Sequence, residues 1–177
     1  LVINPSRPLW DLDLQGNVFA AASHIGVVDV MNGINRIRLK TEQDYYNSGV
    51  MLMDLEAARV LVQPEAIFQY VRDHENELFL PDQDVFNSLY GAQTLQIDDA
   101  LWNYDARYYS GYLLRSGGAY HMDWVMQHTA ILHFCGKRKP WKRSYATRFA
   151  PLYKHYRQLA ARSGASFVSL SAPPSHG

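Results

Sequence analysis

The feature that most constrains the fold of this chain is a short apolar run that ends in a histidine. The run reads Thr129-Ala130-Ile131-Leu132 and is followed by His133. Such a run of apolar and β-branched residues predicts a short, buried β-strand, with His133 at its C-terminal end. Open α/β sheets bind their ligands at the C-terminal ends of their strands. The run therefore predicts an α/β fold with His133 at a ligand-binding edge.

A glycine and a cluster of cations follow His133 within one short turn. Gly136 lets the backbone approach an anion because it has no Cβ, and Lys139 can act as a point charge on phosphate. Together they favour a site for a metal-bound diphosphate. Taken singly, a histidine at a strand end is more often structural, and a run of cations is more often a solvated loop. The cluster consists of Gly136, Lys137, Arg138, Lys139, Pro140 and Trp141.

Two further segments with a recognisable pattern lie upstream. Asn47-Ser48-Gly49 precedes an apolar run, and Asp82-Gln83-Asp84 stands at the expected start of a helix. Together with His-x-x-Gly-x-x-Lys-Pro-Trp at 133–141, these segments resemble, in the same order, the motifs of family 8 of the retaining glycosyltransferases. That family includes bacterial lipooligosaccharide galactosyltransferases and glycogenin. The resemblance extends over most of the chain.

The resemblance implies a fold and an activity. The fold is of the GT-A type, and the donor is a nucleotide sugar that is typically UDP-linked. The cofactor is a divalent cation, typically Mn²⁺. The expected reaction transfers a hexose, galactose or glucose, to a glycan or lipid-linked acceptor with retention at the anomeric carbon. Lipopolysaccharide or other cell-surface glycan biosynthesis is the implied setting.

The resemblance also implies roles for single residues. By this carry-over His133 ligates the metal and residues 136–141 line the diphosphate, while Asn47, Asp82 and Gln83 contact the donor sugar. A retaining transfer needs charge stabilisation on the β face of an oxocarbenium-like sugar, which the neutral amide oxygen of Gln83 can supply. The motif leaves open whether Gln83, Asp82 or an acceptor hydroxyl assisted by the leaving diphosphate does this.

Structural explanations exist for the same motifs. Acidic residues in the first turn of a helix cap free amides and oppose the helix dipole, so helix initiation alone explains Asp82 and Asp84. Gln83 is harder to explain in that way. Asn47-Ser48-Gly49 could equally be a turn that leads into a strand.

The family's remaining metal ligands come from an Asp-x-Asp motif at the end of a hydrophobic strand. Asp11-Leu12-Asp13 matches the letters, but it follows a predicted short helix or turn capped by Ser6, so we do not expect it to be that motif. We therefore expect this chain to be the C-terminal portion of an enzyme whose nucleotide-binding part precedes Leu1. On that expectation the fragment alone is inactive.

Strand and helix patterns alternate along the chain, which favours α/β. We expect one domain over residues 1–163 and a flexible tail over 164–177. The strands are expected at 17–23, 50–53, 94–97 and 129–132, and the helices at 55–62, 64–76, 82–90 and 151–162. The segment 27–31 fits either a helix or a strand, whereas 102–105 and 108–112 read as exposed loops.

Charge is unevenly distributed along a chain whose formal net charge is zero. All 17 acidic residues lie at or before Asp123, and nine of the 17 Lys and Arg residues follow it. An anionic partner near the C-terminal region follows from this asymmetry. The predicted helix at 151–162 could lie on an anionic membrane, although packing against its own domain with a solvated basic face is the commoner case. No interleaved base-stacking pattern favours nucleic acid.

Composition adds two points. A single cysteine excludes an internal disulfide and fits a reducing compartment, so we expect a cytoplasmic protein, at most peripheral to the inner face of the membrane. The main alternative to an enzyme is a non-catalytic module that binds carbohydrate or a membrane surface.

Overall fold

The computed structural model describes residues 1–23, 34–35, 37–39 and 41–163. The chain divides into two compact units, Leu1–Cys135 and Gly136–Gly177. Segments 27–31 and 164–177, for which the sequence predicted a helix or strand and a tail, lie outside the described residues. A single domain over 1–163 stays a prediction. None of the described helices is long and apolar enough to cross a membrane.

The first unit is built on a three-stranded sheet. Its strands are β1 (Phe19–Ser23), β2 (Tyr46–Met53) and β3 (Thr94–Gln96), in the order β2-β1-β3. β1 pairs antiparallel with β2 and parallel with β3. Because β2 runs opposite to β1, the start of β2 lies at the same edge of the sheet as the end of β1, where Tyr46 is opposite Ser23.

β1 is buried along its whole length because apolar side chains cover both faces of the sheet. Phe19 and Ala21 point into one hydrophobic cluster with Phe86, whereas Ala20 and Ala22 point into a second cluster with Ile97. Alternate residues of a strand face opposite sides of a sheet, so a continuous apolar strand is the expected solution here.

Among the elements whose bounds the structure describes, one α-helix precedes β1 and three lie between β2 and β3. They are α1 (Arg7–Trp10), α2 (Leu55–Leu61), α3 (Pro64–His74) and α4 (Pro81–Tyr90). The Asp54 side chain caps α2 by accepting hydrogen bonds from the backbone amides of Glu56 and Ala57. α3 and α4 each carry a proline in the first turn, where the missing N–H costs no hydrogen bond.

A second, two-stranded sheet carries the predicted histidine. β4 (Tyr104–Asp105) and β5 (Leu132–His133) pair in parallel, with Asp105 opposite His133. α5 (Asp99–Trp102) leads into β4, and α6 (Tyr109–Arg115) and α7 (Met122–His128) connect β4 to β5. His133 therefore stands at the C-terminal end of a strand, as expected, although that strand is shorter than predicted and Ile131 forms only an isolated bridge with Val2.

The prediction of exposed loops at 102–105 and 108–112 was wrong. Asn103, Tyr104 and Asp105 are fully buried, and Tyr104 and Asp105 form the strand β4, which pairs with β5. Tyr109–Arg115 is helix α6, and its Tyr112 is buried with its ring stacked 4.0 Å from that of Tyr104. Clustered tyrosines thus indicated packing rather than exposure.

The remaining elements differ from prediction mainly at their ends. β2 begins four residues earlier than expected, so Asn47-Ser48-Gly49 is part of the strand and not a turn before it. Its outer face is open, with Met51 and Met53 both more than a third exposed, so it is not the buried strand that its sequence suggested. In the second unit, α8 (Ala150–Arg162) matches the predicted C-terminal helix closely.

Candidate active site

Four polar side chains of the first unit form a continuous chain of hydrogen bonds. Asn47 Nδ2 donates to Gln83 Oε1 at 3.1 Å, and Asn103 Nδ2 donates to Asn47 Oδ1 at 3.0 Å. His133 Nδ1 lies 2.8 Å from Asn103 Oδ1. The structure thus brings together three residues that the sequence predicted from separate motifs, and it adds Asn103.

Buried hydrogen bonds fix the start of β2 against α4. The side chain of Asn87 accepts from the backbone N–H of Tyr46 at 2.6 Å and donates to its carbonyl at 2.8 Å, as a neighbouring strand would. Asn47, the next residue of β2, is thereby held beside Gln83 in the first turn of α4. Two motifs that are far apart in sequence thus lie side by side, because the Asn87 side chain pairs with the backbone of β2.

Asp84 anchors the N-terminus of α4. Its buried carboxylate accepts from the backbone amides of Phe79 and Leu80 at 2.7 and 3.1 Å, and from Arg38 and Tyr45. Burial would raise the pKa of Asp84, but the hydrogen bonds from Arg38, Tyr45 and the two amides outweigh it and hold the pKa below its ordinary value. Helix initiation therefore accounts for Asp84.

The other two members of that motif differ from Asp84. Asp82 is exposed, with one carboxylate oxygen 3.4 Å from the hydroxyl of Ser48. Gln83 is half-buried, and its side chain also hydrogen-bonds the hydroxyl of Tyr45. Burial raises the pKa of Tyr45, and the hydrogen bond to Asp84 raises it further, so this hydroxyl stays protonated at neutral pH. Gln83 thus has structural partners that its sequence position did not reveal.

His133 packs directly on the backbone of Gly49. A Cβ built on Gly49 would lie 2.0 Å from Cε1 of His133 and 2.8 Å from its Nε2. No real Cβ approaches so closely, so any side chain at residue 49 would have to displace the imidazole. The glycine of the Asn-x-Gly motif is therefore required by the position of His133.

The described residues supply one imidazole toward a metal. Within the ranges that the structure covers, no three His, Cys, Asp or Glu side chains form a group that could hold an ion. A single imidazole can fill only one position in the coordination shell of a divalent cation, and the hard divalent cations prefer oxygen ligands. Asp11 and Asp13 lie at and just after the end of α1 and not at a strand end, as expected.

The cationic cluster belongs to the second unit. Gly136 has a φ of 78°, a conformation that other residues rarely adopt. A cavity of about 370 Å³ is lined by cations and polar residues, and the Nζ atom of Lys139 lies 5.9 Å from the ring centre of Trp141. Pro140 is buried and Trp141 is 57% exposed. The residues that line the cavity are Lys137, Arg138, Lys139, Lys142, Ser144 and Tyr145.

Sequence reasoning missed Asn103 because it lies in a segment rich in aromatic residues that resembled a loop. A polar residue between Trp102 and Tyr104 was the available signal, since alternation of large and polar residues also indicates a strand.

Comparison with known proteins identifies the family. The family described as Glycosyl transferase family 8 matches residues 1–144. The chain belongs to that family. General stress protein A of Bacillus subtilis (strain 168) is 29% identical over 162 residues, which span 88% of this chain and 54% of the relative. Probable galacturonosyltransferase 7 of Arabidopsis thaliana is 27% identical over 151 residues, 84% of this chain and 23% of the relative.

Solved structures of glycosyltransferases show the same fold as this chain. The galactosyltransferase LgtC, in complex with donor and acceptor sugar analogues, matches with a TM-score of 0.71 at 23% identity, over 99% of this chain and 60% of LgtC. The glycosyltransferase GlyE of Streptococcus pneumoniae TIGR4 matches with a TM-score of 0.62 at 18% identity, over 97% of this chain and 42% of GlyE. The mixed α/β fold is that of GT-A-type glycosyltransferases, as predicted.

Proposed function

We propose that this chain forms the sugar-facing and acceptor-facing part of a metal-dependent, retaining hexosyltransferase. Its donor is a UDP-linked hexose, galactose or glucose, and its acceptor is a glycan or a glycolipid. Family membership supports glycosyl transfer. The observation that carries the proposal is the hydrogen-bonded chain from Gln83 to His133, because it links a candidate sugar-binding amide to a candidate metal ligand.

In this proposal the two ends of the chain of hydrogen bonds have different tasks. His133 ligates Mn²⁺, which when bound would neutralise charge on the departing diphosphate. Residues 136–141 bind the diphosphate, with Gly136 giving the backbone close access and Lys139 supplying charge. Asn47 and Asp82 orient the hydroxyl groups of the donor sugar.

Gln83 stabilises the reacting sugar. Its Oε1 atom accepts a hydrogen bond from Asn47, and an amide oxygen has a second lone pair that can face the anomeric carbon. The hydrogen bond orients that oxygen before the donor binds, which is how a neutral group can contribute to a charged transition state. Exposed Asp82 is the alternative for this role.

The metal assignment is tested by calorimetric titration of UDP into the full-length protein, with Mn²⁺ and with EDTA. We expect tight binding only with Mn²⁺, and loss of that difference in His133→Ala. Lys139→Ala should weaken binding by roughly 1.5–3 kcal/mol, the contribution of a hydrogen bond to a charged group. Lys154→Ala is the matched control, because Lys154 is an exposed lysine of α8 in the same unit.

Equal affinity for UDP in Mn²⁺ and EDTA, or an unchanged metal dependence in His133→Ala, would remove His133 from the metal site. An equal loss in Lys139→Ala and Lys154→Ala would mean that only the general positive charge of this region matters.

We further propose that the protein is cytoplasmic and contacts anionic membrane through α8. The supporting observation is that Lys154, Arg157 and Arg162 are all exposed on this helix. Such contact would bring the enzyme to a lipid-linked acceptor.

A further inference from the structure

Asn103 occupies an unusual place for an amide side chain. It is fully buried, at the junction between α5 and β4, and its backbone N–H donates to the carbonyl of Asp99 at 3.0 Å. Its side chain touches Asn47 with the nitrogen and His133 with the oxygen. A buried amide that makes both contacts is held in one orientation.

One backbone donor, the N–H of Gly49, fixes the orientation of every side chain in this series of hydrogen bonds. The N–H of Gly49 can only donate, and it lies 3.0 Å from the side-chain oxygen of Asn47. That oxygen also faces Asn103, so Asn103 must present its NH₂ group there and its oxygen to His133. A carbonyl oxygen can only accept, so Nδ1 of His133 must carry the proton.

We infer that Asn103 is a positioning residue that locks His133 in the Nδ1–H tautomer and so presents Nε2 to a metal. This inference rests on the proposed function. Imidazoles that ligate metals commonly donate their second N–H to a carboxylate, a backbone carbonyl or water, and loss of such a partner typically lowers metal affinity about 10–100-fold. Here a side-chain amide takes that part.

The choice of an amide has a consequence that a carboxylate would not have. A carboxylate can only accept, whereas Asn103 accepts from His133 and donates to Asn47 at the same time. One residue thus orients both the candidate metal ligand and the candidate sugar-binding amide. Gly49 completes the arrangement, because its lack of a Cβ leaves room for the imidazole.

The tautomer can be read directly by long-range ¹H–¹⁵N NMR of histidine-labelled protein at pH 8, above the ordinary imidazole pKa of about 6.5. His133→Gln assigns the signal. We expect the Nδ1–H pattern in the wild type and in Asn103→Asp, which keeps an acceptor oxygen facing His133. We expect a mixture containing the Nε2–H form in Asn103→Leu.

A matched control is Thr129→Val. Thr129 is also fully buried and donates a side-chain hydrogen bond, at 2.7 Å to the carbonyl of Ala100, but it takes no part in the chain of amides. This variant should leave the tautomer of His133 unchanged. Titration of Mn²⁺ in the presence of UDP should then show an affinity about 10–100-fold lower in Asn103→Leu, and near the wild-type value in Asn103→Asp and Thr129→Val.

The outcomes separate the inference from the function on which it rests. An Nε2–H pattern in the wild type, or an unchanged Nδ1–H pattern in Asn103→Leu, overturns the role of Asn103 whatever the metal does. If Asn103→Leu does not fold, loss of the Nδ1–H pattern in Asn103→Asp overturns it equally. The expected tautomers combined with Mn²⁺ affinity that is insensitive to His133→Gln overturn the metal role of His133 and leave the tautomer assignment intact.

Discussion

Gln83 is a neutral side chain that its neighbours hold in one orientation. Asn47 donates to its oxygen, and the hydroxyl of Tyr45 contacts the same side chain. Both partners lie on or next to β2, so the amide is fixed before any donor arrives. In the role proposed for Gln83, its orientation need not be established at the moment of reaction.

Gln83→Ala should therefore affect catalysis more than binding. In the full-length protein we expect kcat to fall by about 10² or more with little change in donor affinity, because the stabilisation is needed only as positive charge develops on the sugar. Loss of the hydrogen bond to Asn47 should lower the free energy of unfolding by only about 1 kcal/mol. Steady-state kinetics and urea denaturation measure the two effects.

Wild-type kcat in Gln83→Ala would contradict this prediction and would make Asp82 the better catalytic candidate. Asp82→Asn is the natural companion variant. Asp82 is exposed, lies in the first turn of α4 as Gln83 does, and faces Ser48 of β2.

For single residues, the sequence predicted those that stand in recognisable motifs and missed Asn103, which joins them by hydrogen bonds. The contacts of Asn103 reach 56 residues back to Asn47 and 30 residues forward to His133. Local pattern reports which face of a strand or helix a residue occupies, and it carries no information on partners so far away in sequence.

At the scale of the elements, the N-terminus of α4 is held by a side chain from inside the helix. Its N-cap residue, Leu80, offers no side-chain cap. Asp84 reaches back from within the helix to the amides of Phe79 and Leu80, and it binds Arg38 as well. The position of Gln83 therefore depends on a buried carboxylate one residue further along the chain.

Asp84→Asn should destabilise the fold by about 3 kcal/mol at neutral pH, since it breaks a buried ion pair. The native pKa of Asp84 lies below the ordinary value of 3.8, so its charge stabilises the folded state above that value. This stabilisation is lost as the pH falls through the native pKa. Urea denaturation at pH 7 and near pH 3 should show the gap between wild type and variant narrowing in acid.

Glu65→Gln is the control for this experiment. Glu65 lies in the first turn of α3 and is exposed, so its replacement should change the unfolding free energy by less than about 0.5 kcal/mol. A pH-independent gap for Asp84→Asn would show that packing, and not charge, is responsible for its effect.

Element boundaries were predictable where a residue enforces them. Pro64 and Pro81 both fall in the first turn of their helices, and Asp54 caps α2, all close to where the sequence placed these elements. β4 was not predictable, because it is two residues long and exists only through its pairing with β5.

Considered as a whole, the chain has its excess of positive over negative charge late in the sequence. Residues after Asp123 contain nine Lys and Arg residues and no acidic residue. In α8 the aromatic residues Tyr153 and Tyr156 are half-buried while the cations are exposed. This arrangement suits both a packed helix with a solvated face and a helix that contacts anionic lipid.

Co-sedimentation with liposomes distinguishes these two cases. We expect the protein to pellet with vesicles of phosphatidylcholine and phosphatidylserine, and not with phosphatidylcholine alone. Lys154→Glu/Arg157→Glu should weaken this binding at least tenfold, since each cation near the surface contributes about 1 kcal/mol. Arg59→Glu, at an exposed position of α2, is the control. If the protein pelleted to the same extent with both kinds of vesicle, the packed helix would be favoured.

The hydrogen-bonded amides also restrict how this protein can evolve. Asn47 and Asn103 each accept a hydrogen bond with the side-chain oxygen and donate one with the side-chain nitrogen. Replacing one of them alone leaves a neighbour with an unmatched group, at a cost of about 1–3 kcal/mol. A new combination that keeps every donor matched to an acceptor therefore requires two substitutions, and each single-substitution intermediate is expected to be less stable. We therefore expect Gln83, Asn47, Asn103 and His133 to tolerate joint changes better than single ones.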